Sequence, residues 1–361
     1  MNYSILFDNI RNLYSKSIYN KPLAKVRLPL RYFFELTHLC NLNCPYCYVG
    51  KSNIKEELTT EEWKKIIDQI PFYSFVTLVG GEPLIRKDFR EILFYCCKKT
   101  FGKVNVVTNG TLMNESIIDD FIKSKMLLVS VSLDGWGKNH DKNRNKSGIF
   151  EKIQENLEIL NKKRKNKRLM VDIKTIVLKD NLEDLIKLYE YSTKMGFEFF
   201  SISFLRNNNL KQNSFLYENF EEIFFKPDYP IEEYFDMEEF KKVYLEIQKI
   251  KKHSKTKIRF APKFDNKNPN IELKSIENFF KNKDKKITEI YEPCLYPYSN
   301  TIINPKGDVY PCLSVKMGNL KEQNLIDIMN NPKYKCFRNN LKYSKVFSSC
   351  QMCCELKIKQ Q

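Results

Sequence analysis

Between residues 32 and 204 the chain alternates two hydrophobic periods. Short apolar runs, β-branched or aromatic, recur at Tyr32–Thr37, Ser74–Val79, Lys103–Thr108, Leu127–Leu133, Leu169–Leu178 and Glu198–Phe204. Runs of this length and composition predict strands covered on both faces. The segments between them carry helical spacing. Thr59 followed by Glu62 predicts a capping box opening a helix that buries Trp63, Ile66 and Ile67. Phe89, Ile92, Leu93 and Cys96 form one stripe of the next helix, and Asn114 predicts the N-cap of a helix holding Ile117, Ile118, Phe121 and Ile122. Ile149 to Leu160 and Leu182 to Met195, closed by Gly196, supply two more. Repeated strand-then-helix units predict an α/β fold with a parallel sheet.

Right-handed crossovers curl six such units into a partial (β/α)6 TIM-like barrel over residues 32–204. Residues 1–31 precede it as an N-terminal extension. Residues 205–290 are highly charged and read as a bridge or insertion over the barrel mouth, with an amphipathic helix at Met237–Ile250 and a loop-like stretch from Pro262 to Pro269. Residues 291–361 return to turn signals and cysteines, as expected of a small C-terminal α+β cysteine-rich domain. No internal repeat or low-complexity tract stands out.

Composition changes this picture little. Twenty-six Phe and 20 Tyr within a 42% hydrophobic chain of 361 residues provide for a large core. Lys and Arg number 61 against 44 Asp and Glu, a net +17. The excess accompanies an abundance of Asn, Ile, Phe and Tyr, the set an AT-rich genome encodes, and runs such as Lys162 to Lys165 and Lys249 to Lys252 fall on solvated helix faces. Charge alone therefore does not make this a nucleic-acid protein. No apolar run reaches the roughly 18 residues of a membrane span, and no compact signal peptide opens the chain. Eleven cysteines, an odd number, do not form a secreted disulfide framework, so a reducing, cytoplasmic setting is expected.

In a barrel of this kind the chemistry sits on the loops after the strands. That places Cys40–Cys47, Gly80–Pro83, Asn109–Gly110 and Asp134–Gly135 on one face. The first is Cys40-Asn-Leu-Asn-Cys44-Pro-Tyr46-Cys47, three thiols in eight residues. Three thiolates can hold a four-iron cubane and leave one iron for an outside chelator. A structural zinc site requires a fourth protein ligand, and His38 is too close in sequence to close a tetrahedron with the three.

This C-x3-C-x-aromatic-C loop resembles the signature of the radical S-adenosylmethionine (radical SAM) enzymes. The resemblance implies a [4Fe-4S] cluster on Cys40, Cys44 and Cys47, with Tyr46 as the aromatic position and S-adenosylmethionine chelating the fourth iron. It also implies that Gly80, Gly81, Glu82 and Pro83 meet the methionyl amine, and that Asn109, Ser132 and Asp134 meet the methionine carboxylate and ribose. Val177 and Asn181 fall near the adenine-side strand, although Asn181 equally suits a helix cap. Glycines at 80 and 81 allow a backbone to approach a ligand closely.

The C-terminal cysteines are Cys294, Cys312, Cys336, Cys350, Cys353 and Cys354. Pro305-Lys-Gly307-Asp308 predicts a hairpin that returns Cys312 to Cys294, and Cys350-Gln-Met-Cys353 adds a second pair. This spacing suits a four-iron cluster or a zinc ribbon equally. The segment resembles the SPASM or twitch extension of radical SAM enzymes. That implies one auxiliary [4Fe-4S] cluster on Cys294, Cys312, Cys350 and Cys353, with Cys354 as the substitute for Cys353. Cys336 reads as a core thiol in a helix over Pro332–Leu341, Cys96 and Cys97 read as packed thiols, and His140 and His253 have no ligand spacing.

The resemblance implies reductive cleavage of S-adenosylmethionine to a 5'-deoxyadenosyl radical, hydrogen abstraction from substrate and passage of an electron to the auxiliary cluster, an oxidoreductase activity. About thirty residues before the first strand are few for a peptide-recognition domain, which favours a small sugar- or cyclitol-like substrate. A peptide maturase making a crosslink or epimerised residue is the alternative. An iron–sulfur or zinc module acting on nucleic acid is a reading of another class. Arg206 and Asp134 are candidate substrate contacts, and an acidic flavodoxin or ferredoxin is the expected reductant.

Overall fold

A computed structural model describes residues 3–47, 49, 56–165, 167–205, 235–264, 268–281, 286–312, 315–347, 350, 353 and 355–359. Its strands are β1 (Arg31–Thr37), β2 (Phe75–Gly80), β3 (Val104–Thr108), β4 (Leu128–Ser132), β5 (Met170–Val177), β6 (Phe199–Phe204), β7 (Lys257–Ala261), β8 (Asn300–Ile303), β9 (Asp308–Tyr310) and β10 (Gly318–Asn319). The helices are α1 (Tyr3–Asn20), α2 (Thr60–Gln69), α3 (Phe89–Thr100), α4 (Glu115–Lys123), α5 (Lys138–Arg144), α6 (Ile149–Lys163), α7 (Asp184–Lys194), α8 (Met237–Lys251), α9 (Pro269–Lys281), α10 (Ile287–Ile290), α11 (Leu325–Asn330) and α12 (Pro332–Ser344).

All ten strands form one sheet in the order β10-β9-β8-β1-β2-β3-β4-β5-β6-β7. The ladders from β1 through β7 are parallel, and each of the six strands read from the sequence is present. Local chemistry accounts for the helix starts. Thr59 and Glu62 exchange both bonds of a capping box, and Asn114 accepts from the Ile117 amide. The helices cover the outer face, where Phe34 meets Trp63 of α2 and Phe200 meets Tyr189 of α7. Outward side chains such as Val129, Val131, Val171, Ile173 and Ile202 are buried in that layer.

Three features depart from the sequence expectations. The 205–290 region is more than a bridge, because β7 extends the barrel sheet beside β6. The C-terminal segment does not stand apart either: β8 pairs in parallel with β1, so the predicted β8–β9 hairpin continues the same sheet. The extension before β1 contains α1 and is held to the C-terminal part. Arg338 donates to the carbonyls of Pro22 (2.9 Å) and Met329 (2.7 Å), and Asn330 exchanges two hydrogen bonds with the Val26 backbone.

Among the described residues no helix is long and apolar enough to cross a membrane. Cys96 and Cys97 are buried in α3 as expected, whereas Cys336 is exposed. The period of α12 turns Tyr334, Phe337 and Leu341 inward and leaves Cys336 on the outer side, so it is not a core thiol.

Candidate functional site

Loops that follow parallel strands share one end of the sheet, and the candidate residues gather there. The exit of β1 is fixed first. Thr37 donates its hydroxyl to Glu57 at 2.6 Å and accepts from the Leu39 amide at 3.0 Å, while Glu57 also accepts from the His38 amide. The His38 ring turns to Glu35, 3.1 Å away, rather than toward the thiols.

The β2 loop is fastened to this exit by backbone. Gly81 N–H donates to Thr37 O at 2.7 Å and Glu82 N–H to Leu39 O at 2.8 Å. A Cβ on Gly80, at φ +139°, would stand 2.2 Å from Thr37 O, and one on Gly81 would stand 2.2 Å from Leu39 O. The close approach these glycines permit is thus to the chain's own cysteine loop. Pro83, itself buried, follows as the first residue of a 3-10 turn.

Glu82 is fully buried. Its carboxylate accepts from Thr108 Oγ1 (2.8 Å), Asn109 N (2.7 Å) and Leu84 N (3.1 Å). Burial pushes its pKa up to about 7, against the pull of those three donors. Asn109 in turn aims its amide nitrogen at Asn41 Oδ1 (3.0 Å) and Cys40 Sγ (3.8 Å), and its oxygen is held by Thr111.

The far side of the loop is fixed by ion pairing. Tyr46 OH donates to Asp134 Oδ2 at 2.6 Å, Arg144 Nη2 lies 2.5 Å from the same oxygen, and Ile176 N–H donates to Oδ1 at 2.8 Å. Arg144 also places Nη1 3.7 Å from Cys44 Sγ. Burial alone would lower the guanidinium pKa, but Asp134, Tyr46 and Cys44 more than offset it and hold it above its ordinary value. The Asp134 backbone is gripped as well: its N–H donates to His140 Nδ1, and its carbonyl accepts from Asn143 and Asn181. His140, given no role from the sequence, is a buried acceptor held neutral by burial and by Arg144, with its pKa lowered to about 4. Ser132 ends β4 on the lumen side, half-buried, whereas Val177 is fully buried.

Arg144 is the residue sequence reading missed. It follows no motif, and its only local signal is a cation one helix beyond Asp134.

The thiols fit a cluster by donor chemistry. Cys40 Sγ accepts from the Leu42 amide at 3.4 Å, so amide and guanidinium N–H groups point at the sulfurs. The Cys47 amide donates to Cys44 O at 3.2 Å, and the Cys47 thiol interacts electrostatically with both Cys40 and Cys44. Burial raises the Cys40 and Cys44 pKa values, partly countered at Cys44 by Arg144. Coordination to iron is what deprotonates such thiols. At the C-terminus, burial raises the Cys294 thiol well above its ordinary value, and Cys350 and Cys312 add to the effect. Cys353 sits one turn on, its N–H donating to Cys350 O at 3.0 Å. Cys354 and Arg206 lie outside the described residues. Among the described residues no three His, Cys, Asp or Glu side chains close on one point tightly enough for a single metal ion.

Residues 34–192 match the family model of the radical SAM superfamily, and residues 294–354 match that of SPASM, an iron–sulfur cluster-binding domain. The chain belongs to the radical SAM enzymes and carries a C-terminal SPASM domain. Both domains imply [4Fe-4S] clusters.

Among individual proteins, the chain is similar to an AdoMet-dependent heme synthase of Methanosarcina barkeri (strain Fusaro / DSM 804). The two are 34% identical over 188 residues, 51% of this chain and 52% of the relative. It is also similar to the antilisterial bacteriocin subtilosin biosynthesis protein AlbA of Bacillus subtilis (strain 168), at 32% identity over 185 residues, 49% of this chain and 40% of the relative. The chain thus spans about half the length, or less, of these curated relatives. Its fold is like that of Streptococcus suis SuiB bound to S-adenosylmethionine, with TM-score 0.64 at 16% identity, covering 90% of this chain and 70% of that one.

Proposed function

We propose that this chain is a peptide-modifying radical SAM enzyme. Cys40, Cys44 and Cys47 would hold the cluster that engages S-adenosylmethionine, and Cys294, Cys312, Cys350 and Cys353 one auxiliary cluster. When bound, the reduced cluster and its cosubstrate supply a 5'-deoxyadenosyl radical that removes a hydrogen atom from the substrate. The chain's own residues orient and shield. Glu82 offers a buried carboxylate for the methionyl amine, steadied by Thr108 and Asn109. Gly80, Gly81 and Pro83 fix the height of that carboxylate against the cysteine loop. Tyr46, Asn109, Ser132, Asp134 and Asn181 would complete the pocket, while the Val177 side chain turns to the outer layer with Val171 and Ile173 and would reach it through backbone alone.

Four thiolates from Cys294, Cys312, Cys350 and Cys353 would leave such a cluster no open iron, and it would supply an electron acceptor suited to a net two-electron oxidation. An acidic flavodoxin or ferredoxin would supply the reducing electron. The observation that carries the reading is the convergence of the three-thiol loop with Glu82, Asn109 and Asp134 at one end of the barrel. The likeness to a bacteriocin biosynthesis protein supports a peptide substrate over the small molecule favoured by the sequence. Similarity to a heme synthase keeps a small molecule as the second reading.

The test is anaerobic reconstitution followed by reduction with dithionite. 5'-Deoxyadenosine should form, and a short peptide encoded beside this chain's gene should lose two mass units or gain a crosslink. Deoxyadenosine without any peptide change would favour the second reading.

A further inference from the structure

The end of the barrel opposite the cysteine loop gathers the segments that lead from each helix into the next strand. Ahead of β2 to β7 these are residues 70–74, 101–103, 124–127, 164–169, 195–198 and 252–256. Together they contain one carboxylate, Glu198, and Arg164 pairs with it at 2.9 Å. Lysines in the last turns of the helices answer the helix dipoles. Lys103, Lys125, Lys165, Lys167 and Arg168 lie beyond the helix ends and add to them. Arg168 donates to the Phe101 carbonyl at 3.2 Å and Lys103 to the Thr100 carbonyl at 3.1 Å. Those acceptors are neutral, so the positive charge persists. Burial and the neighbouring Arg168 push the Lys103 pKa down, as expected where cations crowd one another.

An apolar knob rises from the same end. Phe72 is 59% exposed, Tyr73 43% and Phe101 66%. Phe72 packs edge-on against Tyr73, with centroids 5.4 Å apart, and against Phe101 at 6.0 Å. Phe101 closes α3 in the left-handed backbone region, at φ +52°, a position that suits Gly or Asn. A bulky ring there costs backbone strain and still stands in water. Neither burial nor backbone preference explains it.

The combination selects one kind of partner. Exposed rings ringed by loop cations complement a surface that is apolar beneath and anionic on top, which is the arrangement of a lipid bilayer. The rings reach the acyl boundary while the lysines and arginines stay level with the phosphates. Nucleic acid fits less well. Edge-to-face packing turns the rings on one another, and Lys103 Nζ sits 5.4 Å from the Phe101 centroid, so open stacking faces for bases are lacking.

We propose that this end of the barrel docks on an anionic lipid surface, with Phe72, Tyr73 and Phe101 entering the headgroup layer and the loop cations meeting lipid phosphates. The contact is peripheral and leaves the barrel mouth, at the opposite end, open to solvent. It goes beyond the proposed function and does not depend on the substrate.

The test is co-sedimentation of the reconstituted full chain with vesicles of phosphatidylcholine, alone or with about one-third phosphatidylglycerol. The anionic vesicles should bind the chain about tenfold more tightly than the neutral ones, or better. Phe72→Ser combined with Phe101→Asn, which tolerates the left-handed backbone, should weaken anionic binding about tenfold, and so should Lys103→Gln combined with Arg168→Gln. Because the whole chain carries +17, a control removes two cations at the mouth, where Lys146 reaches Asn41 O at 3.4 Å. Lys142→Gln with Lys146→Gln should leave binding within about twofold. Phe101→Trp should give emission that shifts to the blue on anionic vesicles, which reports insertion rather than charge alone. Deoxyadenosine formation by the Phe72→Ser, Phe101→Asn variant in solution should match the unaltered chain, showing that the fold is intact. Absence of vesicle binding, an equal loss in the mouth variant, or no blue shift would overturn the proposal. So would tight binding of a DNA duplex by a chain that ignores vesicles.

Discussion

Tyr46 and Asp134 are joined by a 2.6 Å hydrogen bond between the phenol and a carboxylate that is 1% exposed. The bond ties the loop after β1 to the end of β4, across the barrel mouth. Tyr46→Phe keeps the ring and removes only the donor. A hydrogen bond to a charged, buried acceptor contributes about 1.5–3 kcal/mol, so the variant should unfold at a measurably lower temperature in anaerobic melting. An unchanged melting temperature would mean that the loop is held without this bond.

Arg144 is the counter-charge of the same carboxylate. Arg144→Met strands a buried anion, a loss of roughly 3–5 kcal/mol. Adding Asp134→Asn to that variant should recover a good part of the loss, because the orphaned charge is gone. Arg144→Lys keeps the charge but lacks a planar fork to reach both Asp134 and Cys44, so it should fall between. Denaturant unfolding of the set measures this, and purely additive losses in the double variant would argue against the pairing.

These two residues mark where sequence reading stops. Helices were legible because burial repeats every three to four residues, strands because short β-branched and aromatic runs stand between those helices, and Cys40, Cys44 and Cys47 because a cluster demands three thiols at close spacing. Arg144 was not, because it reaches Asp134 through the way α5 folds back over β4, and no short-range pattern encodes that return. Gly80 and Gly81 were legible as glycines but not in their cause, since only the fold shows the β1 carbonyls that a Cβ would strike. β7 was hidden because Lys257 and Arg259 break the apolar run, and both belong to the polar lumen rather than to a covered face.

The cysteines can be sorted by iron. Substituting Cys294, Cys312 or Cys350 by Ser should remove the auxiliary cluster and about half of the iron bound by the reconstituted chain, leaving the cluster of the β1 loop. Cys336→Ser should leave the iron unchanged, because Cys336 lies on the exposed side of α12 with Asn340. Iron and sulfide analysis decides. A full iron load in Cys294→Ser would remove it from the ligand set.

Glu82 makes stability depend on pH in a particular direction. Its pKa is raised from 4.5 to about 7, chiefly by burial, so the fold favours the protonated form more than the unfolded chain does. The advantage is complete below about pH 4.5 and is lost as pH rises through 7, a swing of about 3 kcal/mol. His140 acts in the opposite sense: its pKa is lowered to about 4, so its contribution is present above 6.5 and disappears as pH falls through 4. Comparing Glu82→Gln with the unaltered chain cancels the histidine, which both proteins share. The variant should gain relative stability from pH 5 to about pH 7 and level off by pH 8, as read by chemical unfolding under argon. A cation placed beside Glu82 reverses its cost by pairing with the ionised form, so S-adenosylmethionine should stabilise the unaltered chain more at pH 8 than at pH 6. A ligand effect that is the same at both pH values would separate Glu82 from the methionyl amine.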